Sequence, residues 1–247
     1  MAHYPDILYS ILEIYRRCNI TYFPLDCFSL LAAYNYEVYK YSDLYKKNPL
    51  LLELCGGYSG EAFSEQNTKI VAYNERQNPQ RIRFSLMHEL GHIILGHRGE
   101  SNQNEQEANY FASNILAPKM AIHYSSCKNH TEIAKLFNIS LQAADIAFTE
   151  YRRWHRMAAY KMNFVDKEIY QHFYNKDEDK FVCFPRYCDC GAEVTNRKYN
   201  CCNHCLYIPP TKRVVQEEPA LVSLFNSQKE KNIFAKAEHH WLYGNDY

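Results

Sequence analysis

The pattern with the clearest chemical meaning is His88-Glu89-Leu90-Gly91-His92, an HExxH motif. Two histidines four residues apart lie one turn apart on a helix, so both imidazoles can reach one ion from the same face. Glu89 projects about 100° around the helix from His88, where its carboxylate can take a proton from a metal-activated water. These spacings predict a catalytic zinc site with His88 and His92 as ligands and Glu89 as the general base.

A catalytic zinc takes three protein ligands and keeps one position for water, so a third ligand is needed. The candidates downstream of the motif are Glu105, Glu107 and His97. Glu105 and Asn109 stand four residues apart on one helical face, so Glu105 can ligate the ion while Asn109 supports a ligand histidine through a hydrogen bond. Glu107 points away from this side and ranks second. His97 is better explained as a capping or substrate-side residue.

Four cysteines near the C-terminal end form a second candidate metal site. Cys188 and Cys190 precede a hairpin-like stretch, and Cys202 and Cys205 follow it. This arrangement predicts a zinc ribbon, in which four thiolates close the site to water and the metal holds the fold. The first pair is one residue shorter than the usual spacing, which leaves alternative ligands open. These alternatives are Cys183, Cys201 and His204.

The elements that position these residues follow from apolar spacing and capping residues. Asn78 and Pro79 supply an N-cap and a first helical residue for a helix over 79–95, which Gly96 ends. A second helix over about 104–117 is predicted to face it. Further predicted elements are helices over 5–17, 25–34, 131–137 and 141–156, and strands over 37–41 and 69–73.

Composition narrows the classes of function. The 28 basic and 28 acidic residues balance, so no net field favours bulk phosphate or an anionic membrane. The sequence has neither an export signal nor a stretch approaching the roughly 18 apolar residues of a spanning helix. We therefore expect a cytoplasmic protein, in which clustered cysteines bind metal rather than form disulfides.

The two central helices together resemble the signature of a known family. RFSLMHELGHIILGH followed by EQEANYFASNILAP is similar to the ImmA/IrrE metallopeptidases, in which an HExxH helix pairs with an E-x-x-A-[ND]-x-F-A helix ending in L-x-P. The resemblance is close over residues 69–118. It implies a gluzincin-like endopeptidase in which Glu105 is the third ligand and Glu89 is the base. It also implies that the substrate is a helix-turn-helix transcriptional repressor of a mobile element or stress response.

With this resemblance, the sequence predicts an α+β fold in several parts. A mainly helical, zincin-like metallopeptidase domain with a small β-sheet is expected over 1–165, and a linker over 166–182. A zinc-ribbon-like module follows over 183–210. The tail over 211–247 is predicted to end in an amphipathic helix over 228–242. The expected cofactor is Zn²⁺, with one catalytic and one structural ion.

The helix pair over 131–156 has the form of a helix-turn-helix, with Ser140 as the N-cap of its second helix. A DNA-reading helix would carry basic residues at its start, yet Gln142 and Asp145 stand there. The sequence therefore favours a pair that completes the core or docks a protein substrate. The alternative function is a non-catalytic DNA- or protein-binding transcriptional regulator, against which an intact Glu89 argues. A hydrolase acting on something other than protein is a third hypothesis.

Overall fold

The computed structural model of the protein describes residues 4–54, 60–99, 101–158, 162–176, 178–192, 194 and 202–206. The tail expected over 211–247, with its helix over 228–242, lies outside these residues. The fold is mostly helical with two small sheets. In the part of the chain that is described, no helix is both long enough and apolar enough to cross a bilayer.

Three strands lie among the helices in the first half of the described chain, and a short two-stranded hairpin lies near its end. The helices are α1 (Tyr4–Arg17), α2 (Cys27–Ala33), α3 (Tyr41–Lys47), α4 (Pro49–Leu54), α5 (Pro79–Leu95), α6 (Asn102–Leu116), α7 (Lys119–Tyr124), α8 (His130–Phe137), α9 (Leu141–Ala158), α10 (Phe164–Phe173) and α11 (Asn203–Leu206). The strands are β1 (Glu37–Lys40), β2 (Ala62–Glu65), β3 (Ile70–Tyr73), β4 (Tyr174–Asn175) and β5 (Lys180–Phe181).

A three-stranded sheet lies beside α5 in the strand order β1-β3-β2. β1 runs parallel to β3, and β2 runs antiparallel to it with Ser64 opposite Val71. Side chains alternate between the two faces of a strand, so Phe63 packs with the small cluster around Ala72. Ser64 instead faces α5, where it bonds Glu89. β1 and β3 were expected from the sequence, but β2 was not.

Helix α5 begins and ends where its capping residues predicted. The side chain of Asn78 accepts a hydrogen bond from the backbone N–H of Arg81 at 2.7 Å, and Pro79 is the first helical residue. Gly96 ends the helix in the left-handed region, with φ of 68°. One face buries Leu86 and other apolar residues in the main core. The opposite side can therefore carry polar groups.

Helix α6 packs closely against α5 because small residues meet at the crossing. A Cβ added to Gly91 would lie 3.1 Å from Cδ1 of Phe111 and 3.2 Å from Cα of Ala108, so any larger residue would push these neighbours away by a few tenths of an ångström. Ser101 caps α6 by accepting a bond from the N–H of Asn104 at 3.1 Å. The close approach places the first turns of α6 beside the HExxH residues.

The helix pair α8 and α9 contributes to the main core. Ile133, Phe137 and Tyr151 are fully buried there. Asn138 takes the left-handed conformation that turns the chain, and Ser140 accepts a bond from the N–H of Ala143 at 3.2 Å. This packing supports the interpretation of the pair as a core-completing element.

The segment 166–182 is not the linker that its charges suggested. It lies mostly in α10 and the β4–β5 hairpin, and α10 packs against α1. Ile169 and Phe173 enter the main core, while Glu168 pairs with Arg16 of α1 at 2.5 Å. The charged residues alternate with apolar ones at helical spacing, so high charge here marks an amphipathic helix rather than a connection.

Candidate metal centre

The structure brings His88, His92 and Glu105 together, with one ligand atom of each within 4.8 Å of the others. The Nε2 atoms of the two histidines are 3.0 Å apart. One carboxylate oxygen of Glu105 lies 3.3 Å from Nε2 of His88, and the other lies 3.3 Å from Nε2 of His92. A tetrahedral zinc with bonds of about 2.0–2.1 Å separates neighbouring ligand atoms by about 3.3 Å. The donor set and its spacing therefore fit zinc.

The contact between His88 and Asn109 orients the imidazole of the first candidate ligand. Nδ1 of His88 lies 3.1 Å from the side-chain oxygen of Asn109. The amide oxygen can only accept, so it fixes the proton on Nδ1 and leaves a lone pair on Nε2, as a metal ligand requires. Asn109 occupies the supporting position expected from its spacing to Glu105.

His92, the second candidate ligand, is partly buried. Burial lowers the pKa of His92, and the neighbouring His88 lowers it further, while Glu105 acts in the opposite direction. A lower pKa favours the neutral imidazole, which is the form that binds a metal.

Glu89 lies in the same cleft beside these three groups. The hydroxyl of Ser64 donates a hydrogen bond to its carboxylate at 2.7 Å. Burial raises the pKa of Glu89, whereas the bond from Ser64 and the nearby His88 lower it. A raised pKa improves a carboxylate as an acceptor and donor of protons near neutral pH. Sequence reasoning missed Ser64 because β2 was not predicted.

The two other candidates for third ligand contact each other. Nε2 of His97 lies 3.1 Å from a carboxylate oxygen of Glu107, and Nδ1 of His97 lies 3.0 Å from Nδ1 of His92. Neither residue belongs to the group formed by His88, His92 and Glu105.

The centre opens into a cleft of about 1030 Å³. Strand β2 forms one wall and the first turns of α6 form the other. The side chain of Glu105 is 47% exposed toward this space. A reactant larger than water can therefore reach the three candidate ligands and Glu89.

The second site gathers Cys188, Cys190, Cys202 and Cys205, whose sulfur atoms lie within 4.8 Å of one another. The Sγ atoms of Cys190 and Cys202 are 3.5 Å apart, close to the roughly 3.8 Å edge of a tetrahedron with Zn–S bonds of about 2.3 Å. The short first pair lies in a tight turn, in which Gly191 donates its N–H to the carbonyl of Cys188 at 2.7 Å. Four sulfurs at this spacing fit a closed metal site.

Backbone hydrogen bonds favour the thiolate form of Cys188 and of Cys202 at this second site. Bonds from the backbone of Cys190 and of Cys202 lower the pKa of Cys188 to about 6. Among the alternative ligands, Cys183 is buried in the main core, and His204 is exposed and outside the four-cysteine group. Cys201 lies outside the described residues.

Residues 53–149 match the Peptidase_M78 family, described as the IrrE N-terminal-like domain. The matched segment contains α5 and α6, and with them all three residues of the candidate site. No curated protein matches the chain. The family match supports a metal-dependent peptidase domain, in agreement with the ImmA/IrrE resemblance of the two helices.

Proposed function

We propose that the protein is a zinc endopeptidase of gluzincin-like layout, with His88, His92 and Glu105 as zinc ligands and Glu89 as the general base. The observation that carries the proposal is the spacing of the three ligand atoms, 3.0 and 3.3 Å, in a cleft that also holds Glu89. A purely structural metal site has no use for an open position or for a neighbouring carboxylate with a raised pKa.

Zinc held by these residues would lower the pKa of a water from about 15.7 to about 7 and polarise a substrate carbonyl. The chain supplies the proton transfers. The carboxylate of Glu89 accepts the proton of the attacking water and delivers it to the nitrogen of the leaving amine. Ser64 holds the Glu89 carboxylate in place through its 2.7 Å hydrogen bond.

The shape of the cleft supports a polypeptide as the substrate. Within the described residues, β2 lies at the edge of the sheet and lines the cleft. An extended peptide can add to such an edge through backbone hydrogen bonds. From the family resemblance we propose a helix-turn-helix transcriptional repressor as the protein substrate, which would place the activity in the cytoplasm.

A second, structural zinc is proposed at the four cysteines. The closed arrangement of four sulfurs leaves no ligand position for water, so this ion would stabilise a small module that has little apolar core of its own. Its described core consists of Cys188, Val194 and Cys202, with Cys205 packed against it.

The test is to mix the purified full chain with the repressor encoded beside its own gene. The expected result is a single cut by the parent protein and cleavage about 10²- to 10⁴-fold slower by Glu89→Gln, with zinc bound to both. Equal cleavage by both proteins would contradict the assignment of Glu89. No cleavage of any repressor by zinc-loaded protein would contradict the substrate class.

A further inference from the structure

A chain of polar contacts leads away from the candidate metal site into the space between α5 and α6. Nδ1 of His92 lies 3.0 Å from Nδ1 of His97, and Nε2 of His97 lies 3.1 Å from Glu107. Gln103 donates a bond to the other oxygen of Glu107 at 2.8 Å. The side chains of His97 and Glu107 are only 7% and 16% exposed, so water competes little for these contacts.

The end of α5 is built to place His97 there. Gly96, with φ of 68°, donates its N–H to the carbonyl of Ile93, and His97 donates its N–H to the carbonyl of His92 at 3.0 Å. This pair of bonds is the Schellman motif, in which the chain turns back over the last helical turn. The turn sets the ring of His97 at 5.0 Å from the ring of His92.

The direction of the hydrogen bonds follows from Glu107. Each of its two carboxylate oxygens has a polar partner, Gln103 at 2.8 Å and His97 at 3.1 Å. A glutamate carboxylate is ionised at neutral pH and can only accept. Nε2 of His97 therefore carries a proton. In neutral His97 the other nitrogen is an acceptor, so the proton between the rings belongs to Nδ1 of His92. His92 then has a lone pair on Nε2, which faces His88 and Glu105.

Other roles for His97 fit the contacts less well. As a third metal ligand it would need a nitrogen beside Nε2 of His92, but its Nδ1 faces the opposite nitrogen of that ring. As a group that stabilises the substrate oxyanion it would need a free N–H. Both of its ring nitrogens already have partners.

We propose that His97 and Glu107 form a positioning pair that fixes the tautomer and the ring orientation of His92. The inference rests on the proposed function, because it assumes a metal at His88, His92 and Glu105. It adds two residues that touch neither the metal nor the substrate. Asn109 would orient His88 through one contact, and the pair would orient His92 through a chain of two contacts.

Zinc affinity tests the pair without any measurement of activity. A competing fluorescent chelator titrates zinc from the full-length parent, His97→Ala, Glu107→Ala and the double variant. Outer contacts of this kind change metal affinity by about 10- to 100-fold, so each single variant should bind more weakly by that factor. The double variant should lose no more than the larger single loss, because both residues act through one chain of bonds.

Conservative and control variants separate positioning from general stability. His97→Gln keeps an acceptor for the His92 N–H and should recover most of the affinity. Glu107→Gln preserves size, removes the charge and replaces one of the two acceptor oxygens with an NH2 donor, so it reports on the pair even if an alanine variant fails to fold. His130→Ala removes an exposed histidine that pairs with Asp145 at 3.9 Å and should change nothing.

Nitrogen NMR of the zinc-free protein is an independent measurement of the His92 tautomer. The inference requires the Nδ1-protonated form of His92 in the parent and a mixture of the two tautomers in Glu107→Gln. Unchanged zinc affinity and an unchanged His92 tautomer in the variants would overturn it. Failure of the proposed function looks different, since the parent itself would then hold zinc at the cysteines alone, and that result would overturn both proposals.

Discussion

The two candidate metal sites of this chain obtain their ligands in opposite ways. His88, His92 and Glu105 project from two long helices whose other faces are buried in the main core. Cys188 and Cys202 instead are the core of their own region, together with Val194. The first site lies on a fold whose core consists of other, apolar residues. At the second site, the candidate ligands themselves form most of the buried cluster.

This difference is the one expected between a catalytic and a structural metal site. Two helices hold the three candidate ligands beside a cleft of about 1030 Å³, which would leave a fourth position open. Four thiolates from short turns leave no such position. Removing the metal should therefore cost activity at one site and structure at the other.

Loss of one ligand at each site should give the largest effects and opposite phenotypes. We expect His92→Ala to reduce cleavage to background while the melting temperature of the main domain changes little. Cys202→Ser should unfold the cysteine module and leave cleavage measurable. Mass spectrometry measures the metal content of both variants, and limited proteolysis measures the folding of the cysteine module. Loss of activity without loss of zinc in His92→Ala would contradict the assignment of His92 as a ligand.

Replacement of the base should be the next largest effect. A positioned general base contributes about 10²- to 10⁴-fold in rate, so Glu89→Gln should slow cleavage by that factor and retain both zinc ions. Single-turnover cleavage assays with metal analysis measure this. A rate equal to that of the parent would show that Glu89 is not the general base.

A methyl group at the crossing of α5 and α6 should disturb the histidine site by moving the two helices that carry its candidate ligands. In Gly91→Ala the added Cβ meets Phe111 and Ala108 at 3.1 and 3.2 Å. Overpacking costs about 1–3 kcal/mol, so the melting temperature and the zinc affinity of the histidine site should both fall. Gly96→Asn is the control, because asparagine tolerates a left-handed helix end. Zinc binding at the cysteines should be unchanged in both variants.

Removal of the Ser64 hydroxyl should give the smallest effect. Its hydrogen bond lowers the pKa of Glu89, so Ser64→Ala should raise that pKa. Since the base acts in its ionised form, the acid limb of the pH–rate profile should move to higher pH and the alkaline plateau should stay. One hydrogen bond contributes about 0.5–1.5 kcal/mol, which limits the loss at neutral pH to about tenfold. Ser85→Ala, which removes a bond to Glu61 instead, should leave the acid limb in place.

The sequence contained enough to place α5, because its start, its apolar face and its end each depend on local residues. Asn78, Pro79 and Gly96 set the limits that the structure shows. The spacing of Glu105 and Asn109 on one face likewise agrees with their positions beside the histidines. Their roles as metal ligand and support stay predictions.

The features that were missed depend on contacts between distant segments. β2 is short and polar, so only its pairing with β3 makes it a strand and brings Ser64 to Glu89. His97 and Glu107 were weighed separately as metal ligands, and nothing in their spacing shows that they meet. The glycine directly before His97 is the one local signal, since it predicts a turn back over His92.

Anomalous X-ray diffraction at the zinc edge from crystals of the zinc-loaded full chain tests the central claim most directly. The account predicts one peak within about 2.0–2.2 Å of both histidine Nε2 atoms and a Glu105 oxygen, and a second peak among the four cysteine sulfurs. A peak at the cysteines with none between His88 and His92, in protein given excess zinc, would contradict it.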